Sequence, residues 1–140
     1  MNYPTHIVIH TLAFEGDADI DRVREWHLDR GWNDVGYHYL VRRSGAVQKG
    51  RNEDAVGAHA VNFNRHSIGI ALEGHGDSEC PRLEQLLAVF RLCDEVMLRY
   101  GISIDKVLGH RETGARKTCP GSLVDMDAFR ALLFGFVNEE

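Results

Sequence analysis

Short apolar runs mark the places where the chain is predicted to form buried strands. Residues 5–12 are β-branched and apolar, and residues 67–74 form a second run that is dense in apolar and small residues. Runs of this length, bounded by polar or acidic loops, are typical of strands covered on both faces. A shorter run at residues 106–109 predicts another strand. His10 therefore lies near the carboxyl end of the first strand.

A hairpin is predicted between these two longer strands. Residues 37–43 and 46–49 flank the dipeptide Ser44-Gly45. Small turn-forming residues between two such segments favour a tight connection between antiparallel strands. Both arms of the hairpin are short.

Helical periodicity appears in longer segments of the chain. Residues 82–100 place apolar side chains every three or four positions, and Gly101 ends the pattern. A shorter amphipathic helix is predicted over residues 20–30, with Asp19 as its N-cap and Gly31 as its end. Caps of these types satisfy the unpaired backbone groups at helix ends.

A last helix is predicted from Asp125 or Asp127 through Phe136. Strands and helices thus alternate along the whole chain, without repeats, low-complexity segments or a linker. This order is typical of an α/β fold built around a mixed β-sheet. We therefore expect residues 1–140 to form a single domain.

Composition limits the classes of function. The chain has 140 residues, of which 44% are hydrophobic and 26% charged, so it can form one domain with a core. Its formal net charge of −5 disfavours nucleic acid and anionic surfaces as partners. The sequence contains no stretch of membrane-span length and no recognisable signal peptide, so we expect it in the cytoplasm of the producing cell.

Three cysteines are too few and too widely spaced for a disulfide scaffold. Cys93 falls in the apolar helical pattern and is expected to be buried, whereas Cys80 precedes a proline in a polar loop. Cys119 follows His110 by nine positions across a loop, and it alone has a neighbour suited to chemistry.

His110 and Cys119 are candidate metal ligands, and His10 could complete the site from another strand. Neutral imidazole and thiolate both suit Zn²⁺, and three protein ligands leave one coordination position open, as in catalytic zinc sites. The alternative is a hydrogen-bonded core histidine, a loop histidine and an inert thiol. Spacing alone does not decide between these two interpretations.

Four further residues are candidates for supporting roles. Tyr37 and Lys117 could stabilise an oxyanion or protonate a leaving amine. His59, in Gly57-Ala58-His59-Ala60, could contact the substrate or a metal ligand. Glu112 could be a general base, but a structural hydrogen bond or an ion pair with Arg111 is favoured. The other histidines are assigned to packing or surface positions: His6, His27, His38, His66 and His75.

Several of these segments together resemble one known family, the type-2 N-acetylmuramoyl-L-alanine amidases, which include bacteriophage amidase lysozymes and peptidoglycan recognition proteins. The resemblance covers nearly the whole chain, in order from His10 to Gly121. Its motifs are Ile7-Val8-Ile9-His10, Gly31-Trp32-Asn33-Asp34-Val35-Gly36-Tyr37-His38-Tyr39, Gly57-Ala58-His59-Ala60 with Asn64, Ser67-Ile68-Gly69-Ile70, and Gly109-His110-Arg111 through Cys119-Pro120-Gly121.

The resemblance implies a site and a reaction. His10, His110 and Cys119 match the family's zinc ligands, Tyr37 matches a tyrosine beside the metal, and Lys117 matches a lysine of the phage enzymes. The loop from His110 to Cys119 is about one residue longer than the usual pattern. The implied fold is a mixed sheet flanked by helices, with zinc in a surface groove.

The implied reaction is zinc-assisted hydrolysis of the amide between N-acetylmuramic acid and L-alanine in peptidoglycan. A phage endolysin that acts on the wall after release is favoured, with a cytosolic amidase that recycles muropeptides as the alternative. We expect a monomer. The resemblance alone adds a further partner, the phage RNA polymerase.

Three other classes of protein are alternatives. A cysteine peptidase would use Cys119 as nucleophile and His110 as base, but it would leave His10 unexplained. A recognition module without activity typically lacks the cysteine ligand. A glycosidase would need a positioned pair of carboxylates, and the sequence singles out none.

Overall fold

A five-stranded mixed sheet forms the centre of the structure, a computed structural model that describes residues 1–139. Its strands lie in the order β3-β2-β4-β1-β5. All neighbouring strands are parallel except β2 and β3, which form an antiparallel hairpin. The strands are β1 (His6–Thr11), β2 (Tyr39–Val41), β3 (Val47–Lys49), β4 (Ser67–Leu72) and β5 (Val107–Gly109).

The two longest strands lie side by side within the sheet. β1 pairs with β4 on one side and with β5 on the other, with His10 opposite Ala71 of β4. Every residue of β4 is buried, in agreement with the continuous apolar run that predicts it. Because β1 and β5 are parallel, their carboxyl ends meet at one edge of the sheet.

Two helices cover one face of the sheet. These are α2 (Leu83–Tyr100) and α3 (Met126–Asn138), which pack with Ile7 and Ile9 of β1 in the main hydrophobic core. Gly101 ends α2 in the left-handed conformation, with φ of 66°. This confirms the predicted end of α2.

The other face of the sheet is covered by α1 (Ile20–Asp29). Its Val23 packs with Leu40 of β2 and Ala71 of β4 in a second, smaller core. Side chains alternate between the faces of a strand, so His10 points away from the face that carries Ile9. The expected α/β fold, a mixed sheet flanked by helices, is confirmed.

Side-chain caps fix the beginnings of α1 and α3. The carboxylate of Asp19 accepts a hydrogen bond from the Arg22 amide at 2.9 Å, as expected for an N-cap. Asp125 likewise accepts from the Ala128 amide at 3.1 Å, so Asp125 rather than Asp127 caps α3.

The hairpin is shorter than predicted. Its first strand is Tyr39–Val41, so Tyr37 and His38 precede it and Arg42 and Arg43 follow it. Residues near this point are held by longer-range bonds, including one from the His38 amide to the Gly69 carbonyl at 2.9 Å. Ala46 and Lys106 also lie just outside the strands predicted for them.

No helix within residues 1–139 is both long enough and apolar enough to cross a membrane.

Candidate functional site

The three candidate metal ligands converge at the carboxyl edge of the sheet. His10 is the penultimate residue of β1, His110 directly follows β5, and Cys119 lies in the loop after it. The potential ligand atoms of all three side chains lie within 4.8 Å of one another. Ligands of α/β proteins commonly bind beyond this edge of a sheet. The topology thus brings together the residues that the sequence singles out.

The donor atoms in this cluster suit zinc. The Sγ atom of Cys119 lies 3.8 Å from Nδ1 of His10, and the rings of His10 and His110 have centroids 4.6 Å apart. His10 is 2% exposed and His110 is 8% exposed. Two imidazole nitrogens and one sulfur in this arrangement fit a three-ligand zinc site with a free position.

Burial sets the protonation states of these side chains. It lowers the pKa of His10 well below its ordinary value and, together with the charge of Lys117, lowers that of His110. Both imidazoles are therefore neutral near pH 7, which is the form that binds metal. Burial raises the pKa of the Cys119 thiol. A thiol with a raised pKa is a poor nucleophile by itself, which disfavours the cysteine peptidase.

A hydrogen-bonded loop holds Cys119 in place. The Arg111 amide donates to the Cys119 carbonyl at 2.8 Å, and the Arg111 guanidinium donates to the carbonyls of Thr118 and Gly121 at 3.1 and 2.9 Å. The loop therefore closes on the residue that follows His110. Backbone hydrogen bonding thus holds Cys119 next to the segment that carries His110.

Asp77 clamps the same loop from the other side. Its carboxylate accepts from the Ser122 amide at 2.7 Å and from the Thr118 hydroxyl at 2.9 Å. Gly76 and Gly121 pack backbone to backbone here, and a Cβ on either would overlap the other segment. This role of Asp77 could not be predicted, because nothing in the local sequence links it to a loop 41 positions away.

Glu112 has a structural role, but its partners are Gly109 and Arg130 instead of the predicted Arg111. Its carboxylate accepts from the Gly109 amide at 2.8 Å and forms an ion pair with Arg130 of α3 at 2.7 Å. Arg111, the alternative partner, points toward the loop carbonyls instead. The Glu112 carboxylate thus links the start of the His110 segment to α3.

Tyr37 lies beside the candidate metal ligands. The centroid of its ring is 5.1 Å from that of His10 and 5.5 Å from that of His27. Burial raises the pKa of the Tyr37 phenol, so the hydroxyl keeps its proton at neutral pH and can act as a donor. The structure thus brings Tyr37 to the cluster, although it lies outside the strand predicted to carry it.

Lys117 lies at the rim between two grooves. The larger, of about 610 Å³, is lined in part by Arg30, Trp32, Arg116 and His110. The smaller, of about 340 Å³, extends on the side of Cys119. Lys117 lines both grooves and is exposed. It is close enough for its charge to act on the pKa of His110.

His59 contacts a candidate ligand directly. Its Nδ1 atom lies 2.9 Å from Nε2 of His10, and its own Nε2 lies 3.2 Å from the Ser67 hydroxyl. Its ring also lines the larger groove. His59 is predicted to contact either the substrate or a metal ligand, and the structure shows its contact with His10, a candidate ligand. The contact with Ser67, at the start of β4, could not be predicted because it depends on how the loop that carries His59 folds back over this strand.

The remaining histidines stay apart from the cluster of candidate ligands. His27 accepts a hydrogen bond from the Gly36 amide at 2.8 Å, and His38 accepts from the Gly69 amide at 3.0 Å. His6 lies at the opposite end of β1 from His10 and contacts Thr5. These positions agree with the packing roles assigned to them.

Known proteins resemble the chain over most of its length. The sequence model of the N-acetylmuramoyl-L-alanine amidase family matches residues 1–122. The endolysin of Klebsiella phage KP32 is 34% identical over 123 residues, covering 83% of this chain and 80% of the relative. Peptidoglycan-recognition protein SC2 of Drosophila melanogaster is 32% identical over 130 residues, covering 86% and 70% respectively.

A solved structure shares the fold. N-acetylmuramoyl-L-alanine amidase LysC from Clostridium intestinale URNW superposes with a TM-score of 0.89 at 30% sequence identity. The match covers 95% of this chain and 87% of that one. The chain therefore shares the fold of that amidase.

Proposed function

Because the chain belongs to the N-acetylmuramoyl-L-alanine amidase family, we propose that it hydrolyses the amide between N-acetylmuramic acid and L-alanine in peptidoglycan, with zinc as cofactor. The observation that carries this proposal is the convergence of His10, His110 and Cys119 beside a groove. The proposed amidase domain extends past residue 122, because Phe129 and Leu133 of α3 pack into the main core.

His10, His110 and Cys119 would hold the metal. The chemistry that zinc would supply there is Lewis-acid activation, in which a water with its pKa lowered to roughly 7 becomes available near neutral pH and the scissile carbonyl is polarised. The two histidines are neutral near pH 7, so their ring nitrogens need to lose no proton before they bind. The Cys119 thiol has to lose its proton on binding, and the nearby positive charges of Lys117 and Arg111 favour that loss.

Tyr37 and Lys117 would act on the reacting amide. Tyr37 offers a phenol proton beside His10 and stabilises the oxyanion as a hydrogen-bond donor. Lys117 offers a positive charge at the rim of the groove, where it can stabilise the same oxyanion or assist the departing amine. Both residues favour the charge that develops in the transition state over the neutral substrate.

The larger groove suits a peptide that carries carboxylates. Arg30, Arg116 and Lys117 line it together with Trp32 and leave it cationic, although the whole chain has a net charge of −5. Positive side chains concentrated in a concave surface attract anionic ligands. This local charge supports a peptidoglycan stem peptide as the bound partner.

The biological setting that we propose is that of a phage endolysin, made in the cytoplasm and acting on the cell wall after release. The similarity to the endolysin of Klebsiella phage KP32 supports this choice. An amidase that recycles muropeptides would share the same site. Comparing the rates on intact sacculi and on soluble muropeptides separates the two, since an endolysin should cleave the polymer efficiently.

Replacing Cys119 by serine tests the cofactor and the reaction together. Because the substitution removes the sulfur ligand, we expect zinc affinity to fall roughly 100-fold or more, beyond the usual effect of a residue that only supports a ligand. The release of L-alanine N-termini from purified peptidoglycan should fall with it. Cys80→Ser is the matched control, since Cys80 lies outside the cluster. Full hydrolysis by metal-free Cys119→Ser protein would disprove the proposal.

Chelation distinguishes the amidase from the two alternatives that need no metal. Removing zinc should abolish hydrolysis, and adding one equivalent back should restore it. A cysteine peptidase would keep its activity after chelation. A recognition module would bind peptidoglycan and release no product in either state.

A further inference from the structure

We propose that His59 and Ser67 are positioning residues that hold His10 in the tautomer whose Nδ1 atom is free to bind the metal. The inference deepens the proposed zinc function and rests on it. It gives a function to a series of buried hydrogen bonds that runs from His10 through His59 to Ser67 at the start of β4. The direction of each bond in this series follows from the groups at its end.

The series of hydrogen bonds ends at the carbonyl oxygen of Phe63, which can only accept a hydrogen bond. The Ser67 hydroxyl lies 2.7 Å from the carbonyl oxygen of Phe63 and donates its only proton to it. Toward His59 the same hydroxyl can therefore only accept, at 3.2 Å from Nε2 of that ring. His59 accordingly carries a proton on Nε2.

This assignment determines the role of the other nitrogen of His59. His59 is buried, and among the described residues no carboxylate is hydrogen-bonded to its ring. A positive charge there would be costly, so the ring is neutral and its Nδ1 is an acceptor. The donor to it is Nε2 of His10, at 2.9 Å.

The same logic then determines which nitrogen of His10 can bind the metal. With its proton on Nε2, His10 leaves Nδ1 unprotonated, and that atom faces the Cys119 sulfur at 3.8 Å. Metal-binding histidines commonly donate their other N–H to a fixed acceptor, which sets both the tautomer and the ring orientation. Here the acceptor is Nδ1 of His59. It can accept because the Ser67 hydroxyl accepts from Nε2 of His59 and so keeps the proton of that ring on Nε2.

The backbone fixes the position of the His59 ring. A Cβ added at Gly69 would lie 2.6 Å from this ring, and a Cβ added at Gly57 would lie 2.7 Å from its Cδ2 atom. The side-chain oxygen of Asn64 accepts from the amides of His59 and Ala60, both at 2.9 Å. The ring thus occupies a slot that two glycines leave open, on a loop held by one asparagine.

The first test uses the unmodified protein without metal. Long-range ¹H–¹⁵N correlation spectra of the histidine rings report which nitrogen is protonated. We expect His10 and His59 both to carry their proton on Nε2 at neutral pH. A spectrum with the His10 proton on Nδ1 would overturn the inference, whatever the activity of the enzyme.

The second test measures zinc affinity by competition with a chelator. His59→Phe keeps a ring in the slot but removes the acceptor, and we expect zinc to bind roughly 10- to 100-fold more weakly. His59→Asn offers an acceptor near the place of Nδ1 and should recover most of the affinity. Ser67→Ala frees the His59 tautomer and should weaken binding by about 10-fold.

His38→Phe is the matched control for these variants. His38 is another buried histidine with bonds at both nitrogens, to the Gly69 amide and the Ala55 carbonyl, and it does not bond to His10. Its loss should change stability and leave zinc affinity unaltered. If His59→Phe binds zinc as His38→Phe does, the inference fails while the amidase proposal stands. If no variant or parent binds zinc, the amidase proposal itself fails.

Discussion

Tyr37 and Lys117 are the two proposed proton donors of the site, and they differ in how exposed they are to solvent. Tyr37 is half-buried against the His10 ring, and burial keeps its phenol protonated. Lys117 is exposed at the rim between the grooves. A buried donor acts from a fixed position, whereas an exposed ammonium on a flexible stem has to be ordered by the substrate. The two residues should therefore contribute to different degrees.

Removing either donor should lower turnover without removing the metal. We expect Tyr37→Phe to reduce kcat roughly 100-fold or more, since a fixed oxyanion donor is lost, and Lys117→Met to reduce it roughly 10- to 100-fold. Zinc content should stay at the parent value in both variants, because neither side chain belongs to the ligand cluster. The measurements are kcat on peptidoglycan and bound metal by atomic absorption. A variant that loses zinc as well would contradict this division of roles.

Some roles at the residue scale could be predicted and others could not. His10, His110 and Cys119 could be proposed as one cluster because each residue type is a zinc ligand and each lies at a strand end or in the loop that follows. The contact of Glu112 with Arg130 could not be predicted, since it depends on how α3 packs against β5. The bond from His59 to Ser67 depends likewise on a loop folding back over β4.

At the scale of elements, the segment from His110 to Gly121 is held both by bonds within it and by a residue from another loop. Arg111 bonds to its carbonyls from inside the loop, and Asp77 bonds to Thr118 and Ser122 from outside. Cys119 lies between these two anchors. The position of one candidate metal ligand thus depends on a carboxylate outside the candidate ligand cluster.

Loosening this clamp should weaken metal binding. Asp77→Ala removes the acceptors for both Thr118 and Ser122, and we expect faster hydrogen exchange at the Ser122 amide and zinc affinity lower by about 10-fold. Asp77→Asn is the control, because its amide oxygen can still accept from Ser122 and its amide nitrogen can donate to the Thr118 hydroxyl. Equal zinc affinity in Asp77→Ala and the parent would show that the loop holds Cys119 without Asp77.

Elements with strong periodicity could be predicted nearly to the residue. The predicted end of α2 at Gly101 is confirmed, since a glycine at φ of 66° ends the helix where the apolar pattern ends. The predicted first strand of the hairpin is longer than the observed one, because the alternating pattern continues through Tyr37 and His38, although these residues bond to other parts of the chain. Strand order could not be predicted, because residues 6–11, 67–72 and 107–109 carry no local mark of their pairing.

At the scale of the whole molecule, buried histidines make stability depend on pH. Burial lowers the pKa of His27 from 6.5 to about 4 and that of His38 in the same direction. Above pH 6.5 both the folded and unfolded states are neutral at these positions. As pH falls from 6.5 toward 4, the unfolded chain takes up protons that the folded chain refuses, so stability decreases.

Removing one such histidine should reduce that dependence. We expect His27→Asn, which keeps an acceptor for the Gly36 amide, to lower the pH slope of the unfolding free energy between pH 6.5 and 4 by up to about 1.4 kcal/mol per pH unit. Below about pH 4 the difference should stop growing, since folded His27 is then protonated as well. Urea unfolding of the metal-free variant and parent between pH 6.5 and 4 measures this difference in unfolding free energy. Parallel curves for the variant and the parent would disprove the assignment.

The central place of β1 also has a consequence for the order in which the protein can form. The strand at residues 6–11 leaves the ribosome before its partners at 67–72 and 107–109. Such distant pairings are slow to form. The first strand has neither partner until residues 67–72 are made, and it has only one until residues 107–109 follow. A nascent chain that ends before residue 107 has no β5 to complete the sheet, and it lacks His110 and Cys119. Any nascent chain that ends before residue 119 therefore lacks at least one of the proposed zinc ligands.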